Sequence, residues 1–245
     1  MGELEDRVPP HEPSEDTLAY AGKAALSLIP GLGGLAAETL AYALSTRQAQ
    51  RQHEFHVELA RALDQVVSRL DETLTVEAVV DSDEFVAAVT RAQRAASETA
   101  SAKKRRRLAA SAANGGSWAP FAETEREQFT RLAEEFSELH VWLLHYFTDP
   151  RGWLEARALY DQHTNVMLGG ILGPLTTALG APQAVWRSDV EQAANDIQRA
   201  GLGQIPLTGS MALNGIMAPR TSDKGQRFLR FVDELDSLGS EPPAI

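Results

Sequence analysis

The chain has 245 residues, 43% of them apolar and 23% charged, enough to bury a sizeable core in one large domain or two smaller ones. Its formal net charge of −11 excludes a general nucleic-acid-coating protein, because neutralising phosphates needs an excess of Lys and Arg. It has no cysteine, which excludes disulfides, thiolate metal sites and cysteine nucleophiles, and it fits a cytoplasmic protein.

The first sixteen residues, MGELEDRVPPHEPSED, are acidic and proline-rich where a secretory signal would be basic and then apolar, and they read as a disordered lead. Met1-Gly2 begins like a myristoylation signal, but Asp6 stands where that signal has Ser or Thr. Asp16 or Thr17 can cap a first helix over 17–29, which Pro30-Gly31 ends. A long helix follows over about 35–72, with Phe55, Leu59, Ala62, Val66 and Leu70 on one stripe. Val79–Ser82 is a break. A third helix, 83–113, carries Phe85, Val89, Ala92, Ala96 and Thr99 on one face, and Asn114-Gly115 supplies its C-cap. A fourth, 121–148, has the clearest pattern: Phe129, Leu132, Phe136, Leu139, Leu143 and Tyr146, ended by Asp149-Pro150. These four helices read as an antiparallel bundle over 17–149.

Beyond Pro150 the pattern changes to short helices at 151–163 and 166–179, the second interrupted near Pro174, and a helix at 186–200. The stretch GQIPLTGSMALNGIMAPR has no charge between Leu202 and Pro219 and suits a short β-hairpin near 200–221, with a last helix starting near Ser222. Helix, DIQRAGL, a wing, then T-x-x-x-G-x-x-F-L-x-F resembles a winged-helix domain. That resemblance implies a small α+β domain over 150–238, with Phe228, Leu229, Phe231 and Val232 packed under the wing and 239–245 as a tail. The fold class is therefore mainly α: an N-terminal helical bundle, then a winged-helix-like domain. Residues 20–150 also resemble bacterial all-helical proteins of unassigned activity with a LIPGxGG corner, a basic third helix and an ending like H-x-x-L-L-x-x-x-x-D-P. His140, Leu143, Leu144, Asp149 and Pro150 fit that ending.

The segment SLIPGLGGLAAETL admits three readings. Gly31, Gly33 and Ala36 match a dinucleotide fingerprint formally, but no strand precedes or follows them. Residues 24–37 carry no charge, yet Lys23 and Glu38 bracket a run shorter than the about 20 apolar residues of a membrane span. The third reading is a tight corner between packed helices, in which Leu28, Ile29, Pro30, Gly31, Leu32, Gly33, Gly34 and Leu35 form a core hairpin; a conditional form of it leaves the core and enters a bilayer.

Motifs that carry chemistry are thin. HEFH places His53 and His56 three apart, but Val57 occupies the position where a zincin has its second histidine. His140 and His145 diverge around a helix. Ser117 in GGSWA lies between helices where a nucleophile elbow needs a strand before it. Glu134, Glu135 and Glu138 read as a solvated face. The basic run Lys103, Lys104, Arg105, Arg106 and Arg107 closes the third helix, where cations suit the negative end, and a hairpin turn at 114–120 would bring Glu123, Glu125 and Glu127 to Arg105–Arg107. The same run could contact a partner or a phosphate. In helix 186–200, Arg187 and Arg199 are offset by Asp189, Glu191 and Asp196, so a DNA-reading role is disfavoured; Lys224, Arg227 and Arg230 on the last helix are its weak nucleic-acid candidates.

The sequence thus points to a non-enzymatic interaction or regulatory module, with no catalytic residue, cofactor or metal ligand, and with a protein partner or a second copy as its target. The alternatives are a membrane-acting effector of a bacterial conflict system using residues 20–45, and a winged-helix DNA-binding regulator.

Overall fold

The computed structural model describes residues 34–68, 75–165, 168–232 and 242–243. Among these residues the protein is mainly helical, with eleven α-helices and no strand. The chain divides into two compact units between Glu134 and Glu135, earlier than the boundary at Pro150 that the sequence suggests.

In the first unit, α1 (Gly34–Val67) buries Phe55, Leu59, Ala62 and Val66, the predicted stripe; Leu70 lies outside the described residues. A short α2 (Val76–Val80) occupies part of the expected break. The predicted helix 83–113 is two helices, α3 (Asp83–Glu98) and α4 (Ala102–Ala113). Serine hydroxyls define both starts: Ser82 Oγ accepts the Phe85 N–H at 3.2 Å and Ser101 Oγ accepts the Lys104 N–H at 3.0 Å. The extended Ser101 stops the helical path, although the apolar period runs on through it. Arg51 donates to the Ser97 carbonyl at 3.1 Å, and Phe85 meets Trp118 with ring centres 6.2 Å apart. So α3 runs antiparallel to α1 and to α4. Ala109, Ala110, Ala112 and Ala113 are buried, and their small side chains let α4 pack closely against both neighbours. Then α5 (Glu123–Glu135) adds Phe129, Leu132 and Ala133 to the core. The predicted first helix, 17–29, lies outside the described residues.

The predicted helix 121–148 also divides. Its second part, α6 (Glu138–Tyr146), begins at the extended Ser137 and belongs to the second unit. Asp149-Pro150, expected as a stop, opens α7 (Pro150–Glu155): Asp149 Oδ1 accepts the Gly152 N–H at 2.9 Å, and Pro150 takes the first helical position. A 3₁₀ turn at Tyr160–His163 follows, then α8 (Leu172–Leu179), with Pro174 inside its first turn, where no amide hydrogen is needed. Next come α9 (Gln183–Arg199), a short α10 (Leu213–Ile216) and α11 (Asp223–Phe231).

The second core is built on α6, packed by α9 and α11. Trp186, Val190, Ala193 and Ile197 come from α9, and Phe228, Leu229 and Phe231 from α11, all buried. Burial of each large side chain of this kind contributes about 1.5–3 kcal/mol. The carbonyls ending α6 are taken up by the segment before α11. Arg220 and Thr221 donate their N–H groups to Phe147 O at 2.7 and 3.2 Å, and Thr221 Oγ1 donates to Leu144 O at 2.6 Å.

The predicted β-hairpin does not form among the described residues. Its base is present as one antiparallel bridge, Gly203 with Thr221, flanked by Gln204 N–H to Arg220 O at 3.0 Å and Ser222 N–H to Leu202 O at 2.8 Å. Between these points α10 replaces paired strands, and Met211 bridges to Gly169 instead. A run without charge identifies burial or turn, and the helix Leu213–Ile216 satisfies its own backbone without a partner strand.

Candidate functional site

The basic run is the first candidate. Because Ser101 starts a new helix, Lys103 to Arg107 lie in the first half of α4 rather than at the end of a longer one. The cations therefore sit near the positive end of the helix dipole, the reverse of the sequence expectation. What offsets this is α1. Arg105 donates to Glu54 and, at 3.2 Å, to the Thr99 carbonyl; Arg106 approaches Glu58 at 3.4 Å. The acids that meet Arg105 and Arg106 thus come from α1, where the sequence suggested the start of α5. Arg105 and Arg107 are buried, Lys104 is half-buried, and Lys103 and Arg106 face solvent. Burial, aided by the neighbouring Arg107, lowers the Lys104 pKa, and Glu134 opposes that shift. Glu134 is not simply a solvated acid: it forms a two-pronged pair with Arg91.

Of the LIPGLGG hairpin, Leu28, Ile29, Pro30, Gly31, Leu32 and Gly33 lie outside the described residues, and Gly34 and Leu35 begin the backbone of α1. No helix among the described residues is long and apolar enough to cross a membrane. Nor does any group of three or more His, Asp or Glu among them come together as metal ligands, His53 and His56 included. The nucleic-acid candidates separate. Lys224 donates to the Ala200 carbonyl at 3.3 Å at the end of α9, Arg227 is half-buried, and Arg230 is exposed. On α9, Arg187 pairs with Glu191 at 2.6 Å and Arg199 with Asp196 at 3.3 Å, so the helix neutralises its own cations.

A cluster at the start of α6 escapes the sequence reading. His140 Nδ1 accepts the Ser137 N–H at 3.2 Å and lies 2.8 Å from Ser137 Oγ; its Nε2 lies 3.5 Å from Asp196 Oδ2 on α9. The ring stacks on Phe136 with centres 4.5 Å apart. These contacts assign the proton of the neutral ring to Nε2. Serine, histidine and aspartate meet here, but Nδ1 takes up a backbone donor of the helix start, so the arrangement works as a capping box with histidine in the place of glutamate. The signal was present as S-E-L-H, hidden inside an unbroken apolar period. Beside it lies a cavity of about 570 Å³, where Ser137, Glu138, Leu139 and His140 face Asp189, Gln192 and Ala193 of α9.

Comparison with protein-family models, with curated proteins and with solved structures finds no match to this chain.

Proposed function

We propose that the protein is a non-enzymatic interaction module that works through protein–protein contacts. The observation that carries this reading is the corner between α2 and α3. Val80 and Val86 are 40% and 55% exposed there, amid the exposed acids Glu77, Asp81 and Asp83. Apolar side chains inside a charged rim are the anatomy of a protein contact. The acidic rim and the net charge of −11 favour a basic partner surface and steer it into register.

The side chains that could carry other chemistry have structural duties that support this reading. Arg105 ties α4 to α1, Lys224 closes the end of α9, and Ser137 with His140 starts α6. The connectivity of α9, the bridge at Gly203 and Thr221, and α11 supports a winged-helix-like arrangement serving as architecture rather than as a DNA reader. The test is crosslinking of the full chain in a native extract from its source, read by mass spectrometry. Crosslinks from the 76–87 corner to one partner protein, lost on Val80→Ser with Val86→Ser, support the reading. Crosslinks absent from that corner, or unchanged in the variant, overturn it.

A further inference from the structure

We propose that the outward face of α3 pairs with the same face of a second copy of this chain, the two helices running antiparallel about a two-fold axis. This inference rests on the reading of the α2–α3 corner as a contact surface and names its partner. Asp83, Val86, Ala87, Thr90 and Arg94 recur at helical spacing, and all five are exposed on the side of α3 opposite the buried Phe85, Ala92 and Ala96. The face is acidic where it starts: exposed Glu77 and Asp81 precede Asp83. It is basic where it ends: the Arg94 side chain is 85% exposed, and exposed Lys103 follows across the short turn into α4. Between the charges the face is apolar or small. Thr90 donates its hydroxyl to the Val86 carbonyl at 2.8 Å, so covering it strands no donor. The short side chains of Ala87 and Thr90 let two helix axes approach to about 8 Å. An axis passing between Ala88 and Val89 sets Ala87 against Thr90 of the second copy and Asp83 against its Arg94, and symmetry repeats both contacts. The Arg94–Glu98 pair within α3 is 3.5 Å long between two largely exposed side chains, so Arg94 changes partner at little cost. A uniformly basic partner matches only the acidic end of this face, whereas a reversed copy matches both ends. One face of a sixteen-residue helix covers less than the roughly 800 Å² per copy of a standard interface, so the dimer is reversible, with a Kd on the order of 10 µM.

Sedimentation velocity of the purified full-length protein, from about 1 to 200 µM, measures the association. Two charge reversals accompany it, Asp83→Arg and Arg94→Asp. Both positions are exposed, so the substitutions spare the core, and circular dichroism checks each fold. Each reversal alone brings like charges together at both ends of the pairing and should weaken dimerisation about tenfold or more. An equimolar mixture of the two variants restores opposite charges at both ends, so dimers should return to within about threefold of the parent affinity. A parent that stays monomeric up to about 200 µM would overturn the proposal. So would single variants that dimerise like the parent, or a mixture that associates no better than its components. A monomeric chain whose 76–87 corner still crosslinks to another protein in the extract overturns the second copy alone. A monomeric chain without those crosslinks overturns the corner reading as well.

Discussion

Replacing Arg105 by alanine separates a structural role of the basic run from a recognition role. The Arg105 side chain is 7% exposed and reaches two acceptors, the Glu54 carboxylate and the Thr99 carbonyl. Its removal strands both and leaves a gap between α1 and α4. Breaking a fully buried ion pair costs about 3–5 kcal/mol. Glu54 is 37% exposed and recovers water, which discounts the loss to about 2 kcal/mol. For a chain of this size that is a fall in melting temperature of about 4–8 °C. Arg106, with its side chain 57% exposed, should cost at most about 0.5 kcal/mol when changed to alanine. Urea unfolding of Arg105→Ala, Arg106→Ala, Glu54→Gln and the Arg105→Ala/Glu54→Gln double variant measures both the ranking and the coupling. Equal stabilities for the two arginine variants, or additive effects of Arg105→Ala and Glu54→Gln, would refute the reasoning.

Ser101→Ala should destabilise the start of α4 by about 1 kcal/mol, because the Lys104 N–H loses its acceptor; an unchanged urea midpoint would contradict the cap. A methyl group at Gly225 would run into the Leu202 carbonyl and Thr221, so Gly225→Ala should cost about 1–3 kcal/mol, whereas Gly173→Ala on α8 meets open space and should be neutral or stabilising in the same thermal melts. Burial lowers the His163 pKa, and Thr177 lies 3.1 Å from its Nε2. The folded state therefore binds this proton less readily than the unfolded chain, so its contribution is complete above about pH 6.5 and declines as pH falls through the lowered pKa; His163→Gln should flatten melting temperature against pH over that window. Because α9 pairs its own cations, no sequence-specific duplex binding in the nanomolar range is expected at physiological salt, and a clean footprint would contradict this.

The apolar period located the cores more faithfully than it located the helices. Phe55, Leu59, Phe129, Leu132, Leu143 and Tyr146 are all buried as the spacing predicts. Yet Ser101 and Ser137 each begin a new helix inside a pattern that looks continuous, because a break of two or three residues hardly disturbs the angular register of the apolar face. The break at Ser101 places the basic run at the start of α4, and the acids that meet Arg105 and Arg106 come from α1. The paired base near Gly203 was legible as a return of the chain, but the helix at Leu213–Ile216 was not, since a four-residue turn is too short to show a period. The cluster of Ser137, His140 and Asp196 was out of reach because Asp196 arrives from α9, and only the fold brings it to His140.

Under the proposed function the α2–α3 corner is a contact surface. Hydrogen exchange of the full-length protein, alone and with the partner identified by crosslinking, tests it most directly. Slower exchange on binding is predicted for the amides of residues 76–87, and Val86→Asp should abolish that protection while leaving exchange in the cores unchanged. Protection confined to other segments, or retained in Val86→Asp, would contradict the account.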